Sequence, residues 1–346
     1  MSLLPQPFTP ELKVLILAGS NELPSPREVE LRARRGKETP LEGKAFLQLH
    51  GRLVIEYVLD WIREAGLERV WVLAPAECLA MIPESYAFTP IEQTPGASLA
   101  TNLQEAKEIL RPADGEPTLV VFGDHPLTSA RAVYDFLSFC GSRIHEADFF
   151  HGMATTEAYA AFSQYFRRTS VWMREASGRA TGLNLVVSSR VHRVPATDHI
   201  YSVRKLERWG QFFSMLGREI YLLGGLAPHA VWDSVRMFIA KDFEKGIRRG
   251  GWFGRFCQRR VEALRRRVPM ARLESYAARL FGAERGVRVV PLSHGGTAID
   301  VDFAEELALI EENWGAMVEL TRQQDAESKV RTGSASQPTG TSRGSR

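Results

Sequence analysis

The chain predicts an α/β fold built on a mainly parallel sheet with a helical insertion, on three observations. Short, nearly continuous apolar runs alternate with amphipathic stretches up to about residue 142. Parallel strands need such crossovers, usually helical. Past residue 200 a long, irregular helical stretch intervenes, and one more apolar run returns near residue 287.

Leu12–Ala18 is apolar apart from Lys13 and stops at Gly19-Ser20-Asn21, which predicts a buried strand feeding a loop. The loop to Gly43 is long and charged, with Arg27, Arg32, Arg34, Arg35 and Lys37. Loops of this length are commonly functional or disordered. Val54, Ile55, Val58, Leu59 and Ile62 recur at helical spacing inside Leu53–Ala65, with Gly66 as the stop. Arg69–Ala74 predicts a second strand, 98–110 a helix, Thr118–Phe122 a strand and Ser129–Cys140 a helix. Strands are then expected at Phe149–Thr155, Thr169–Arg174 and Leu183–Ser188, a set of helices over about 202–281, a last strand at Val287–Pro291 and a helix from Ala304. The resulting division is a core over 1–200, a helical insertion over 201–285, a return strand and helix over 286–322, and a disordered tail over 323–346, polar and without aromatics.

At 346 residues, 44% hydrophobic and 25% charged, the composition is that of a soluble globular protein. The net charge of +3 makes no general case for nucleic acid, and DNA is not expected as a partner. Cys78, Cys140 and Cys257 are too few and too far apart for a zinc site or a disulfide framework, which suits a reducing cytoplasm. No apolar run approaches the roughly 20 residues that span a bilayer, and no signal peptide is expected at the N-terminus.

Chemistry concentrates at strand ends. Thr118–Phe122 runs into Gly123-Asp124-His125-Pro126, and an acid there sits where open α/β sheets hold their ligands, in the crevice beyond the carboxyl ends of the strands. A second acidic pair, Asp300 and Asp302, follows the last strand. Two carboxylates from different strand ends suit Mg²⁺, which takes oxygen ligands and commonly uses one or two carboxylates with substrate phosphates. Asp124 as a turn cap and Asp302 as the cap of the Ala304 helix are the alternatives, since Asp is a favoured cap.

Five features in order carry a resemblance: LILAGS (15–20), EGKAFLQLHGR (42–52), PGASLATNL (95–103), FGDHPL (122–127) and AIDVDFAEELALIEE (298–312). Together they resemble the MobA-like NTP transferases of the nucleotide-diphospho-sugar transferase (GT-A-like) superfamily, over roughly residues 12–315. The resemblance implies a three-layer αβα, Rossmann-like, mixed but mainly parallel sheet. It also implies Mg²⁺-dependent transfer of a nucleoside monophosphate from an NTP to a small phosphorylated or hydroxylated acceptor, with release of pyrophosphate. Carried over by position, Lys44, Asp124 and Asp302 would be catalytic, with Asp124 and Asp302 on the metal and Asp300 the competitor. Leu17, Ala18, Gly19, Ser20, Lys44, Gly96, Ala97, Ser98, Thr101 and Gly123 would bind nucleotide; Arg168, Thr181, Gly182 and Asn184 would bind acceptor.

The chain departs from the pattern at Ser20, where the family has a second glycine, and at Leu183 within a TGGN-like stretch. Ser20 leaves open a nucleotide-binding sensor or scaffold of the same fold, and a nucleotide-sugar-dependent glycosyltransferase is the third alternative. Residues 246–268 carry eight arginines interleaved with Trp252, Phe253 and Phe256. That segment could meet an anionic membrane surface, grip a polyanion such as RNA, or be a solvated amphipathic helix. A homo-oligomer is also allowed for.

Overall fold

The computed structural model describes residues 4–19, 43–166, 170–194, 251–302 and 304–335, with scattered positions between 232 and 247. Lys13–Leu17 (β1) pairs in parallel with Arg69–Ala74 (β4) on one side and Thr118–Phe122 (β6) on the other. Gln48–Leu49 (β2) and Arg52–Leu53 (β3) form a separate small hairpin. Thr89–Glu92 (β5) closes one edge of the main sheet beside β4. Beyond β6 lie Ser177–Val186 (β9), Phe149–Thr155 (β7) and Val287–Leu292 (β10), giving the order β10-β7-β9-β6-β1-β4-β5, with Val171–Trp172 (β8) paired to β9. Strand β9 runs antiparallel to β6, β7 and β8, and the other pairs of this sheet are parallel, so the sheet is mixed but mainly parallel, as expected.

The alternation of β1 explains the layers. Val14 and Ile16 face one core with Val72, Leu119 and Val121, covered by helices Val54–Glu64 (α1) and Ala130–Ser142 (α4). Leu15 faces the opposite core with Leu73 and Ile91, covered by Leu99–Leu110 (α3) through Ala106 and Leu110. The short helix Ala76–Leu79 (α2) follows β4. Burial on both faces is why these strands read as continuous apolar runs.

A further core lies past the end of β7. Tyr159 of helix Thr156–Ala160 (α5), Phe162, Phe166, Ile299, Val301, and Ile310 and Met317 of helix Ala304–Ala335 (α8) pack together there. Of the insertion expected over 201–285, residues 201–231 lie outside the described residues; the part from 251 consists of Gly251–Arg265 (α6) and Met270–Phe281 (α7).

Two expectations are corrected, and one strand, β5, was not expected. Strand β9 starts at Ser177 rather than Leu183, so the TGGN-like stretch lies within a strand. Strand β5, with a proline and one buried residue, carries no apolar run, but an edge strand tolerates both. The tail expected to be disordered from Gln323 is helical to Ala335, because no glycine or proline falls between Gln323 and Thr332 and side chains of this stretch are anchored on the core. Gln324 donates to Ala158 O at 2.7 Å and accepts from the Gly295 N–H at 2.7 Å, while Ser129 Oγ donates to Asp325 at 2.8 Å. Residues 336–346 lie outside the described residues.

Candidate active site

The carboxyl ends of β1, β4, β5, β6, β7 and β10 and the start of β9 share one edge of the sheet. Leu17 ends β1 there, and its carbonyl accepts from the Gly123 N–H at 2.9 Å. Ala18 donates to Leu73 O at 2.9 Å. A side chain on Gly19 would collide with the Gln93 carboxamide, so the glycine lets the chain pass close beside the end of β5. Ser20 and the arginines between 27 and 35 lie outside the described residues, as do Arg167 and Arg168.

Lys44 opens the 3₁₀ turn Lys44–Phe46, pinned by buried Ala45 and Phe46. Its Nζ lies 2.5 Å from Asp302 Oδ1 and 3.9 Å from Asp124 Oδ2. Asp124 follows β6 directly, and its backbone carbonyl accepts from the Val301 N–H at 3.2 Å. Ile299 and Val301 are held in the core below, so an extended segment presents the alternate residues Asp300 and Asp302 toward Asp124. Burial raises the Asp124 pKa, and the charges of Asp300 and Asp302 raise it further against the opposing pull of His125 and Lys44. Asp300 is itself buried, with Oδ1 4.0 Å from an Arg179 guanidinium nitrogen.

Gly96, Ala97 and Ser98 form the loop between β5 and α3, where Ser98 Oγ caps the helix by accepting from the Thr101 N–H at 3.2 Å. Ser98 thus caps α3, and Gly96 and Ala97 lie on the same edge as Lys44 and Asp124.

Thr181 and Gly182 lie in β9 beside the end of β6. Asn184 sits deeper, opposite Val120, and is engaged within the sheet: it donates to Val120 O at 3.4 Å and accepts from His151 Nδ1 at 2.7 Å. Thr181 Oγ1 accepts from the Leu183 N–H at 3.2 Å.

Sequence reasoning missed three residues here. His125 Nδ1 donates to Thr297 O at 2.9 Å, which turns Nε2 toward Asp124 Oδ1 at 3.6 Å. The His125 ring packs on Gly182, where an added Cβ would lie 2.8 Å from Cδ2. Arg179 donates to the Tyr159 hydroxyl at 3.2 Å and faces Asp300. Only His125 carried a signal, its place directly after Asp124; Arg179 and Gln93 are brought in by pairings remote in sequence.

Residues 15–151 match the family model of the MobA-like NTP transferase domain. No curated protein matches the chain in sequence. Among solved structures, a hypothetical transferase from Thermus thermophilus is similar over 86% of this chain and 99% of its own, at 21% identity and a TM-score of 0.53. The 4-diphosphocytidyl-2C-methyl-D-erythritol synthase of Anaerococcus prevotii aligns over 89% of this chain and 100% of its own, at 9% identity and a TM-score of 0.40. The Thermus likeness is one of fold. Residues 15–151, which bear Gly19, Lys44 and Asp124, are thus the part of the chain that is similar to the MobA-like NTP transferase domain.

Proposed function

We propose that the protein transfers a nucleoside monophosphate from an NTP to a small phosphorylated or hydroxylated acceptor, using Mg²⁺ and releasing pyrophosphate. What supports this is the meeting of Lys44, Asp124 and Asp302, from three distant parts of the chain, at the edge of the sheet beyond β1 and β6.

Among the described residues no group of three or more His, Cys, Asp or Glu is arranged for a metal ion. Magnesium does not require one, because one or two carboxylates and the substrate phosphates suffice. The donor set fits: Asp124 and Asp302 are hard oxygen ligands already gathered around one cation, the Lys44 ammonium. Asp124 and Asp302 would hold the ion, with Asp300 behind them. When bound, it offsets phosphate charge and aligns an in-line displacement.

The remaining work falls to the chain. Lys44, a compact charge on a flexible stem, turns from Asp302 to the phosphate oxygens when nucleotide enters. Backbone groups at Ala18, Gly19 and Gly123 line the phosphate side, and the Gly96–Thr101 turn lines the base. Thr181 and Gly182 border the acceptor side, while Asn184 fixes the strand beneath them. A phosphate acceptor is already a nucleophilic anion and needs no general base. The free cysteines at 78, 140 and 257 support a reducing, cytoplasmic setting, and among the described residues no helix is long and apolar enough to cross a membrane.

The test is pyrophosphate release from each NTP in turn, with Mg²⁺ and a metabolite extract as the acceptor source. Release with one preferred NTP, abolished in Asp124→Asn, is the expected result. Nucleotide binding with no pyrophosphate from any NTP would replace the enzyme with a nucleotide-binding scaffold.

A further inference from the structure

We propose that α6 docks the protein on an anionic membrane surface. The helix turns Gly254, Cys257 and Val261 inward. Its opposite face carries Trp252, 73% exposed, and Phe256, 40% exposed, with Phe253 beside them at 36%. At 100° per residue, Trp252, Phe256 and Arg259 fall on the outermost ridge and Arg255 and Arg260 flank it, while exposed Arg266 and Arg267 follow in the turn at the helix end.

The charge on this face is nearly all of one sign. Glu262 is the sole acid between 251 and 268. Among the described residues, none of Arg255, Arg259, Arg260, Arg266 and Arg267 forms an ion pair with a carboxylate. The Arg260 guanidinium instead lies 5.1 Å above the Phe256 ring, which keeps cation and aromatic together on the exposed side.

A helix built only for water would place polar groups on this ridge, where α6 places an indole and a phenyl ring. Rings projecting from a convex helix find burial in a soft interface, where aromatic side chains sit at headgroup depth while arginines meet lipid phosphates. A nucleic acid would satisfy the arginines, but it gains stacking contacts chiefly in a groove lined with rings, and a convex ridge offers none.

The anchoring of α6 gives the docking an orientation. Arg265 Nε donates to Met173 O at 2.8 Å, and the Arg174 N–H donates to Val268 O at 2.9 Å. These bonds tie the end of α6 to the β8–β9 hairpin, whose second strand begins at the sheet edge that bears Asp124. Docking through α6 thus brings that edge toward the lipid surface.

The experiment is co-sedimentation of the full chain at low salt with vesicles of phosphatidylcholine, alone or mixed with phosphatidylserine. Binding to the mixed vesicles only, falling as salt rises, is expected. Arg255→Gln/Arg259→Gln/Arg266→Gln should lower the partition by about a hundredfold, at roughly fivefold per arginine. Trp252→Ala/Phe256→Ala should also weaken it, and Trp252→Phe should remove a blue shift of tryptophan emission on binding. All the changes are at exposed positions, so an unaltered Tm is the control. No binding to mixed vesicles at low salt would overturn the proposal, as would binding indifferent to Trp252 and Phe256. Retention of a single-stranded RNA with no vesicle binding would overturn it in favour of nucleic acid.

Discussion

Lys44 Nζ lies 2.5 Å from Asp302 Oδ1, although 258 positions separate the two residues in the chain. Both are partly open to solvent, at 21% and 30% of their side-chain surface. An ion pair of that exposure contributes little to stability, about 1 kcal/mol or less. In the proposed reaction its value would be positional, holding a cation at the acids for the nucleotide to meet.

Lys44→Ala should therefore weaken NTP binding by one or two charge-assisted contacts, roughly tenfold to a hundredfold in Kd, with a Tm close to that of the parent. Titration calorimetry with the preferred NTP measures it. An unchanged affinity would move the phosphate site away from Lys44.

Asp124→Asn should separate activity from stability. Burial and the neighbouring Asp300 and Asp302 disfavour the Asp124 charge, so removing it relieves the metal-free protein. A Tm rise of about 1–3 °C in EDTA, with pyrophosphate release lost, is expected. A fall in Tm would mean that the Lys44 and His125 attractions outweigh burial.

Gly182→Ala should displace the His125 ring, because the added Cβ would stand 2.8 Å from Cδ2. Overpacking of this kind costs about 1–3 kcal/mol. In a His125→Ala background the same change should cost little further Tm, since the colliding group is gone. Additive losses in the double variant would show that Gly182 answers to another neighbour.

His294 makes stability pH-dependent. Burial opposes its charge, but Asp135, 2.7 Å from Nε2, and Asp325, 3.1 Å from Nδ1, prevail and raise its pKa above the ordinary 6.5. A raised folded pKa gives stability that is complete below 6.5 and lost as pH rises through the folded value. Asp135 shifts the other way: burial raises its pKa, but His294 and Ser328 outweigh that and bring it below 3.8, so its share is lost only as pH falls through that lowered value. Urea titrations should show stability declining on the alkaline side of 6.5, with the decline absent in His294→Gln. A decline of equal size in that variant would assign it elsewhere.

The strand ends were legible because burial on both faces leaves an uninterrupted apolar run, and because acids just after such runs are rare without a ligand or a cap to serve. Asp124 was singled out that way, whereas Lys44 and the choice of Asp302 came from the resemblance. The cradle around them was not legible. Gln93 against Gly19, Arg179 against Asp300 and Gly182 under His125 depend on which strands lie side by side, and β9 runs against its neighbours with no mark of it in the local sequence. The helical end of α8 escaped for a related reason: its polar composition matches a solvated tail until Gln324, Asp325 and Ser328 find partners around His294 and α4.

The strand order also bears on synthesis. Growing from its N-terminus, the polypeptide first completes β1, β4, β5 and β6 with their helices, a four-stranded parallel unit holding Lys44 and Asp124. Strand β10 is translated last of the described strands and joins at the outer edge beside β7, so no pair already made has to open to admit it. Asp302 follows β10 and is among the last parts of the site to leave the ribosome. Lys44 and Asp124 are thus made long before their third neighbour, and the pairing of two acids around Lys44 waits until translation has passed residue 302.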